Sequence, residues 1–299
     1  MTYIGVTPQG MGIALPPPVS AKLICGEDAP ADGFTGVFPL LKSMGEITGI
    51  KIYDKKQTLC FNGIVDEQRE SCGGGRKLTL AARSRAALLL DNEAIPQTYC
   101  MPSLTTIYSR HVKPYGFSGC LGDNRVFSGT LVITKGMSEW QAAASFCSRF
   151  LKITPRITDN VFDASGSRPQ GEMVFDNAEG IGYTSVSIDH QYCNYLSEVL
   201  VKSGKAGSYS PAAQSGTAAS LGIKRRRCLT EGDADELVRT AEKKAFRVTV
   251  VCPGEITANL FTAAKIRDEA LGTVENLYVS QIEYSLGSGG ENTNFILRR

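Results

Sequence analysis

Apolar and polar positions alternate plainly at residues 78–93, LTLAARSRAALLLDNE. Leu78, Leu80 and Ala82 alternate with Lys77, Thr79 and Ala81, which predicts a strand with one buried face. Ser84 stands where a helix cap would, and Arg85–Leu90 is a compact run of helix formers. The strand is therefore expected to turn sharply into a short buried helix. Nothing in the stretch is chemically reactive, so its role is expected to be mechanical.

The same reading extends along the chain. Residues 1–19 contain three glycines and end in Pro16-Pro17-Pro18, which predicts an extended arm, with a disordered terminus as the equally cheap reading. Residues 20–97 are mostly β. Strands are expected at Ser20–Cys25, Ile47–Tyr53 and Thr58–Glu67, with a loop at Glu27–Gly36 and a bulge or close backbone contact at Gly63. Consecutive strands at this spacing suggest an antiparallel barrel or sandwich. Residues 98–165 form a small α/β unit. Helical spacing marks Pro102–Val112 and Met137–Leu151, the latter opened by a Ser138/Gln141 capping box, and Gly129–Lys135 is a strand between them. Residues 166–299 return to β, with a Gly/Ser/Ala-rich flexible loop at 203–222 and a helix at 232–245 capped by Asp233. Strands follow at Phe246–Val251, Leu277–Ser285 and Thr293–Leu297.

Composition narrows the class. The chain has 299 residues, a hydrophobic fraction of 42% and a charged fraction of 21%, enough to bury a substantial core in about two domains. Thirty-two basic and 30 acidic residues balance to +2, so no bulk attraction to nucleic acid or membrane is implied. Nine cysteines, an odd number without zinc-type spacing, are expected to be reduced core thiols of a cytoplasmically made protein. No signal peptide is expected, and no window reaches the roughly 20 apolar residues of a membrane span.

Candidate chemistry is sparse. Only His111 and His190 could serve a Ser-His-Asp or Cys-His arrangement, and neither neighbourhood favours one. P-loop and dinucleotide fingerprints are absent, and Gly287–Gly290 fits a hairpin turn. Asp66 and Glu67 are adjacent on a strand and point to opposite faces, so they cannot act together on a glycosidic bond. Catalytic, cofactor-binding and metal-binding residues are therefore all expected to be none. The run Lys224-Arg225-Arg226-Arg227 could meet phosphates, but one compact run after a flexible loop fits a solvated loop or a salt-bridged subunit contact better. No specific nucleic-acid binding is predicted.

Several phrases together resemble the Mu-like baseplate (tail) hub proteins of contractile-tailed phages, related to the late control D family. They are LCFNGIVDEQRES (59–71), the strand–turn–helix LTLAARSRAALLLDNEA (78–94), SLTTIYSRHVKPYGF (103–117) and GMSEWQAAASFC (136–147). The last is the closing hairpin GTVENLYVSQIEYSLGSGGENTNFILR (272–298). Their order carries the resemblance, which covers most of residues 45–299. Ala82 replaces the glycine usual before the Arg-Ser pair, and 203–245 departs from the pattern. The resemblance implies an α+β, mainly β fold: two tail-tube-like β-barrels (20–97 and 166–299), an inserted α/β domain (98–165) and a helix-containing insertion in the second barrel. It implies a non-enzymatic hub in the virion tail baseplate, assembled in the host bacterial cytoplasm. A homotrimeric ring would adapt a hexameric tail tube to a trimeric spike. Implied partners are the tail tube protein, the central spike protein, baseplate wedge proteins and, more loosely, the tape measure protein. On this reading the helix of 78–94 is a plug packed on the first barrel. Arg83 and Arg85 fix its corner by salt bridges, and Lys224, Arg225, Arg226 and Arg227 are interface candidates. The rival is a tail-associated cell-wall hydrolase or glycan-binding protein. The illegible catalytic cluster and the single tryptophan, Trp140, argue against it.

Overall fold

The computed structural model describes residues 1–204 and 207–299. Lys205 and Ala206, inside the predicted loop 203–222, lie outside the described residues. The fold is mainly β with a few short helices, and the chain divides into two compact units.

Unit 1 comprises Met1–Pro169, Gly254–Ala258 and Ile282–Thr293. Its sheet contains β1 (Thr2–Val6), β2 (Gly12–Ala14), β3 (Ser20–Gly26), β4 (Gly33–Pro39), β5 (Gly49–Tyr53), β6 (Leu59–Cys72) and β7 (Arg76–Ser84). They run in the order β2-β1-β5-β6-β7-β4-β3, each antiparallel to its neighbour. The period-two pattern sends Ile50, Ile52, Leu78, Leu80 and Ala82 into one core with Phe34, Phe38 and Phe61. The path continues from β3 to the strand Gly272–Gly287, and among the described residues β2 pairs with β1 alone, so the strand path is open where a closed barrel is expected.

Two other expectations change. The predicted arm is not free: β1 pairs with β5, and Tyr3 and Leu15 enter the core. Their apolar area outweighs the extended bias of Pro16–Pro18. The predicted loop Glu27–Gly36 gives way to β4 from Gly33 onward. A Cβ at Gly36 would stand 2.6 Å from the Phe34 ring, so the glycine that suggested a loop makes room for two aromatic neighbours.

The rest of unit 1 surrounds a second core. It holds α1 (Ala87–Asp91), β8 (Gln97–Cys100), α2 (Leu104–Ile107), β9 (Gly119–Gly122), β10 (Thr130–Ile133), α3 (Glu139–Phe146), β11 (Arg156–Thr158) and β12 (Val161–Ala164). Both α2 and α3 continue as π-helical turns, Tyr108–Val112 and Cys147–Leu151. The capping box forms as expected, Ser138 accepting from the Gln141 N–H while Gln141 accepts from the Ser138 N–H.

Unit 2 comprises Gln170–Pro253, Asn259–Gln281 and Asn294–Arg299. It holds β13 (Glu172–Asp176), β14 (Ser185–His190), β15 (Glu198–Ser203), β16 (Ser208–Gln214), α4 (Gly216–Ser220), β17 (Arg226–Leu229), α5 (Ala234–Ala245), β18 (Phe246–Pro253) and β19 (Ala263–Asp268). Two long strands, β20 (Gly272–Gly287) and β21 (Gly290–Arg298), contribute residues to both units. In unit 2, β14 is antiparallel to β18, β13 parallel to β19, and β19 antiparallel to β20. Phe175 packs on Phe295 with ring centroids 5.2 Å apart. A separate sheet, β16-β15-β17, is covered on one face by α5 through Val199, Ala213, Val238 and Ala241.

The predicted flexible loop is thus ordered over much of its described length. Residues 208–214 pair with β15, and Ser215 caps α4 by accepting from the Ala218 N–H at 2.9 Å. Pro211 is tolerated because β16 is an edge strand and the register shifts beside it. All nine cysteines are free thiols. Among the described residues no helix is long and apolar enough to cross a membrane.

Candidate assembly surfaces

The strand–turn–helix of residues 76–91 is held by two arginines with different partners. The Arg83 guanidinium grips two carboxylates. It donates to Asp66 on β6 through Nε and Nη2 at 2.8 and 2.9 Å. It donates to Asp91 on α1 through Nη1 and Nη2 at 3.0 and 2.7 Å. Those hydrogen bonds raise the Arg83 pKa and hold the Asp91 carboxyl below the usual range. Among the described residues Arg85 makes no salt bridge, contrary to expectation. It donates to Asn160 Oδ1 at 2.8 Å and to the Tyr115 carbonyl at 3.4 Å, and lies over the Phe117 ring. Both arginines are half-buried.

Two local expectations are corrected. Ser84 does not cap α1, whose N-cap is Ala86 without a side-chain bond. Ser84 Oγ instead accepts from the Asp32 N–H at 3.0 Å, tying the turn to the β3–β4 loop. Nor is α1 a plug on the first barrel's sheet. Leu89 and Ala94 join Leu104, Ile107, Trp140 and Ala143 in the core of the inserted segment. The corner therefore belongs to the boundary between the two cores of unit 1. Gly63 marks the same corner on β6: a Cβ there would stand 2.3 Å from the Phe61 ring and 2.8 Å from the Arg83 carbonyl oxygen.

Sequence reasoning missed a buried polar network beneath α3. His111 Nδ1 and Glu139 Oε2 are 2.5 Å apart, and His111 Nε2 is 2.8 Å from the Tyr99 hydroxyl. The Tyr115 hydroxyl donates to Glu139 Oε1 at 3.0 Å. The sequence signal was a glutamate within the apolar helix start SEWQAAA. The Glu–His–Tyr order resembles a catalytic relay, but His111 is 2% exposed and Glu139 6% exposed. A macromolecular substrate has no route to this pair, and the network satisfies polar groups within a core.

A small cavity of about 210 Å³ lies near the β3–β4 loop, lined by Asp28, Pro30, Asp32, Trp140, Pro155 and Arg156. Burial pushes the Asp32 carboxyl up to about 6, against the pull of Arg156, the Cys25 thiol and the Gly26 N–H. Among the described residues no group of three or more His, Cys, Asp or Glu side chains could hold a metal.

The basic run sits in unit 2. Lys224, Arg225, Arg226 and Arg227 are all exposed. Arg225 donates through Nη1 to the Tyr192 carbonyl, and its N–H donates to Ser197 Oγ at 2.9 Å. Arg226 pairs with Glu198 on β15 at 2.6 Å. Arg225–Arg227 and Lys244 of α5 line one shallow depression. Arg226 and Arg227 therefore open an edge strand, while Lys224 and Arg225 lie in the exposed segment before it.

No family model matches the chain, and none of the curated proteins compared with it does. Solved structures do match. A tail protein from Neisseria meningitidis MC58 superposes with a TM-score of 0.77 at 16% identity, covering 100% of this chain and 97% of that one. The 43 kDa tail protein of prophage MuSo2 from Shewanella oneidensis gives 0.79 at 14% identity, covering 100% and 98%. The c3393 protein of Escherichia coli gives 0.59 at 6% identity, covering 94% and 73%. That protein is described as a component of the type VI secretion system with structural similarity to bacteriophage T4 tail proteins gp27 and gp5. Over its whole length, this chain has the fold of phage tail proteins.

Proposed function

We propose that the chain is a structural hub of a contractile phage tail or tail-like particle, located in the virion baseplate. Three copies form a ring that adapts a hexameric tail tube to a trimeric spike. The observation that carries this reading is the full-length likeness to two phage tail proteins, extending to a secretion-system component described in terms of gp27 and gp5. Two β-rich units per chain give six in a trimer, which suits a junction between sixfold and threefold rings. The role is non-enzymatic, in keeping with a His111 sealed in a core. Partners are the tube and spike proteins, with wedge proteins outside. Arg83 and Arg85 fix the corner between the two cores of unit 1, and Lys224–Arg227 belong to an assembly contact.

Mass photometry and negative-stain microscopy of the purified chain, alone and with tube and spike proteins, test the reading. The expected result is a three-copy ring that joins both. A monomer that binds neither partner overturns it, as does clearing of peptidoglycan in a zymogram.

A further inference from the structure

The edge of β17 combines two features that point to a ligand class. The first is an open ladder. In the order β16-β15-β17, β17 has a neighbour on one side only among the described residues. The parallel register pairs Glu198 with Arg226 and Leu200 with Cys228, and the Glu198 N–H donates to the Arg225 carbonyl at 3.3 Å. Strand alternation then turns the N–H and C=O groups of Arg226 and Cys228 away from β15, toward solvent.

The second feature is charge on one face. Arg227 is paired in register with Val199, which is fully buried under α5, so Arg227 lies on the α5 side of the sheet. Arg225 shares that side by alternation, and Arg226 with its partner Glu198 lies on the other. Between the strand edge and α5 runs a shallow slot. Leu196, Leu237 and Ala241 form its floor, and Arg225, Arg227 and Lys244 its rim, with Arg226 lining it as well although its guanidinium pairs with Glu198. Among the described residues no carboxylate forms an ion pair with those three cations, whereas Arg226 and Arg239 are each neutralised by a glutamate.

We infer that β17 is a docking edge for an extended acidic segment of a partner protein, which adds as a further strand beside Arg226–Leu229 and places alternate carboxylates over Arg225, Arg227 and Lys244. Main-chain bonds to Arg226 and Cys228 give register, and the cationic rim gives sign selectivity. A nucleic acid would match the charge but not the strand edge, and the apolar floor favours a peptide with small apolar residues between its acids. This inference goes beyond the hub reading and stands or falls separately from ring formation.

The test uses the full-length chain and a fluorescein-labelled peptide of alternating glutamate and valine, read by fluorescence anisotropy. Competitors are an alternating lysine–valine peptide, a glutamate–valine peptide N-methylated at every second amide, and single-stranded DNA. Binding of the acidic peptide is expected. The double variant Arg227→Glu, Lys244→Glu should weaken it roughly tenfold or more with an unchanged melting curve, since both side chains lie at the surface. The N-methylated peptide should bind at least about tenfold more weakly than its parent. Equal binding of the parent and N-methylated peptides overturns strand addition. Equal binding by the charge-reversed variant overturns the site. Tighter binding of DNA reassigns it to a polyanion, and loss of self-association in the variant reassigns it to a second copy of this chain; each refutes the inference.

Discussion

Replacing Arg83 by alanine removes the side chain that joins β6 to α1. Four donor–acceptor contacts are lost, at 2.7–3.0 Å, to two carboxylates. The Arg83 side chain is 38% exposed, and Asp66 and Asp91 are 33% and 55% exposed. Water and salt therefore screen the pairs, and exposed pairs contribute only about 0.2–1 kcal/mol each. Two-pronged geometry on both carboxylates puts each near the top of that range, so the expected loss is about 1–2 kcal/mol. For a unit of this size that lowers Tm by about 2–8 °C. The pH dependence has a definite sign. Arg83 holds the folded-state pKa of Asp91 below its ordinary value of 3.8. The pair's contribution is thus complete above pH 4 and is lost as pH falls through the depressed value. Thermal or urea unfolding of wild type and Arg83→Ala at pH 7 and pH 2.5 should show a gap at the first and a smaller gap at the second. Arg83→Lys should recover under half of it, because an ammonium cannot grip two carboxylates two-pronged. An unchanged Tm at pH 7, or an equal gap at both pH values, refutes the corner argument.

Three further outcomes follow from the same reasoning. Glu139→Ala strands the His111 ring and the Tyr115 hydroxyl in a closed core; urea unfolding should show a loss of about 2–4 kcal/mol, and a loss under about 1 would deny the network its structural role. Gly63→Ala drives a methyl into the Phe61 ring and the Arg83 carbonyl, so soluble yield and Tm should both fall, by about 2 kcal/mol or more in unfolding free energy. Asp32, with its pKa raised from 3.8 to about 6, is stabilising when protonated, and that contribution is lost as pH rises from about 4 to 6. Asp32→Asn should then match wild type at pH 4 and exceed it by up to about 3 kcal/mol at pH 7; a variant less stable at pH 7 would show that pairing with Arg156 outweighs burial.

What the sequence made legible was periodicity, and what it hid were close approaches. Strands such as β5 and β7, with Ile50 and Ile52 or Leu78 and Leu80 spaced by two, announce themselves. The capping box at Ser138 and the Asp233 cap are equally local and equally visible. β4 was masked because Gly33 and Gly36 look like loop residues until two phenylalanines are known to flank Gly36. β16 was masked because SYSPAAQ has almost no apolar content; its pairing comes from β15, not from its own pattern. The same limit explains the site. Arg83 and Arg85 were visible as charges at a turn, but Asp66, Asp91 and Asn160, 17, 8 and 75 residues away in sequence, are brought in by the fold.

The arginines separate into two kinds by how far their donors are used within the chain. Arg83 spends Nε, Nη1 and Nη2 on two carboxylates, and Arg85 is divided among an amide oxygen, a carbonyl and a ring face. Such saturated groups have little left for a partner, so their energy goes into holding elements of one unit together. Arg227 stands on an edge strand with no carboxylate in an ion pair among the described residues, and its neighbour Arg226 carries open main-chain groups. Arg226 gains its pair with Glu198 and Arg225 its bond to the Tyr192 carbonyl, but Arg227 has no such return among the described residues, while successive cations repel one another and an unpaired edge invites pairing. On the docking proposal, an acidic partner strand supplies what Arg227 and the open edge lack within the chain. On that proposal the internal arginines serve the corner and the β17 arginines a docking contact, a division invisible in the sequence, where both are simply basic residues beside a strand.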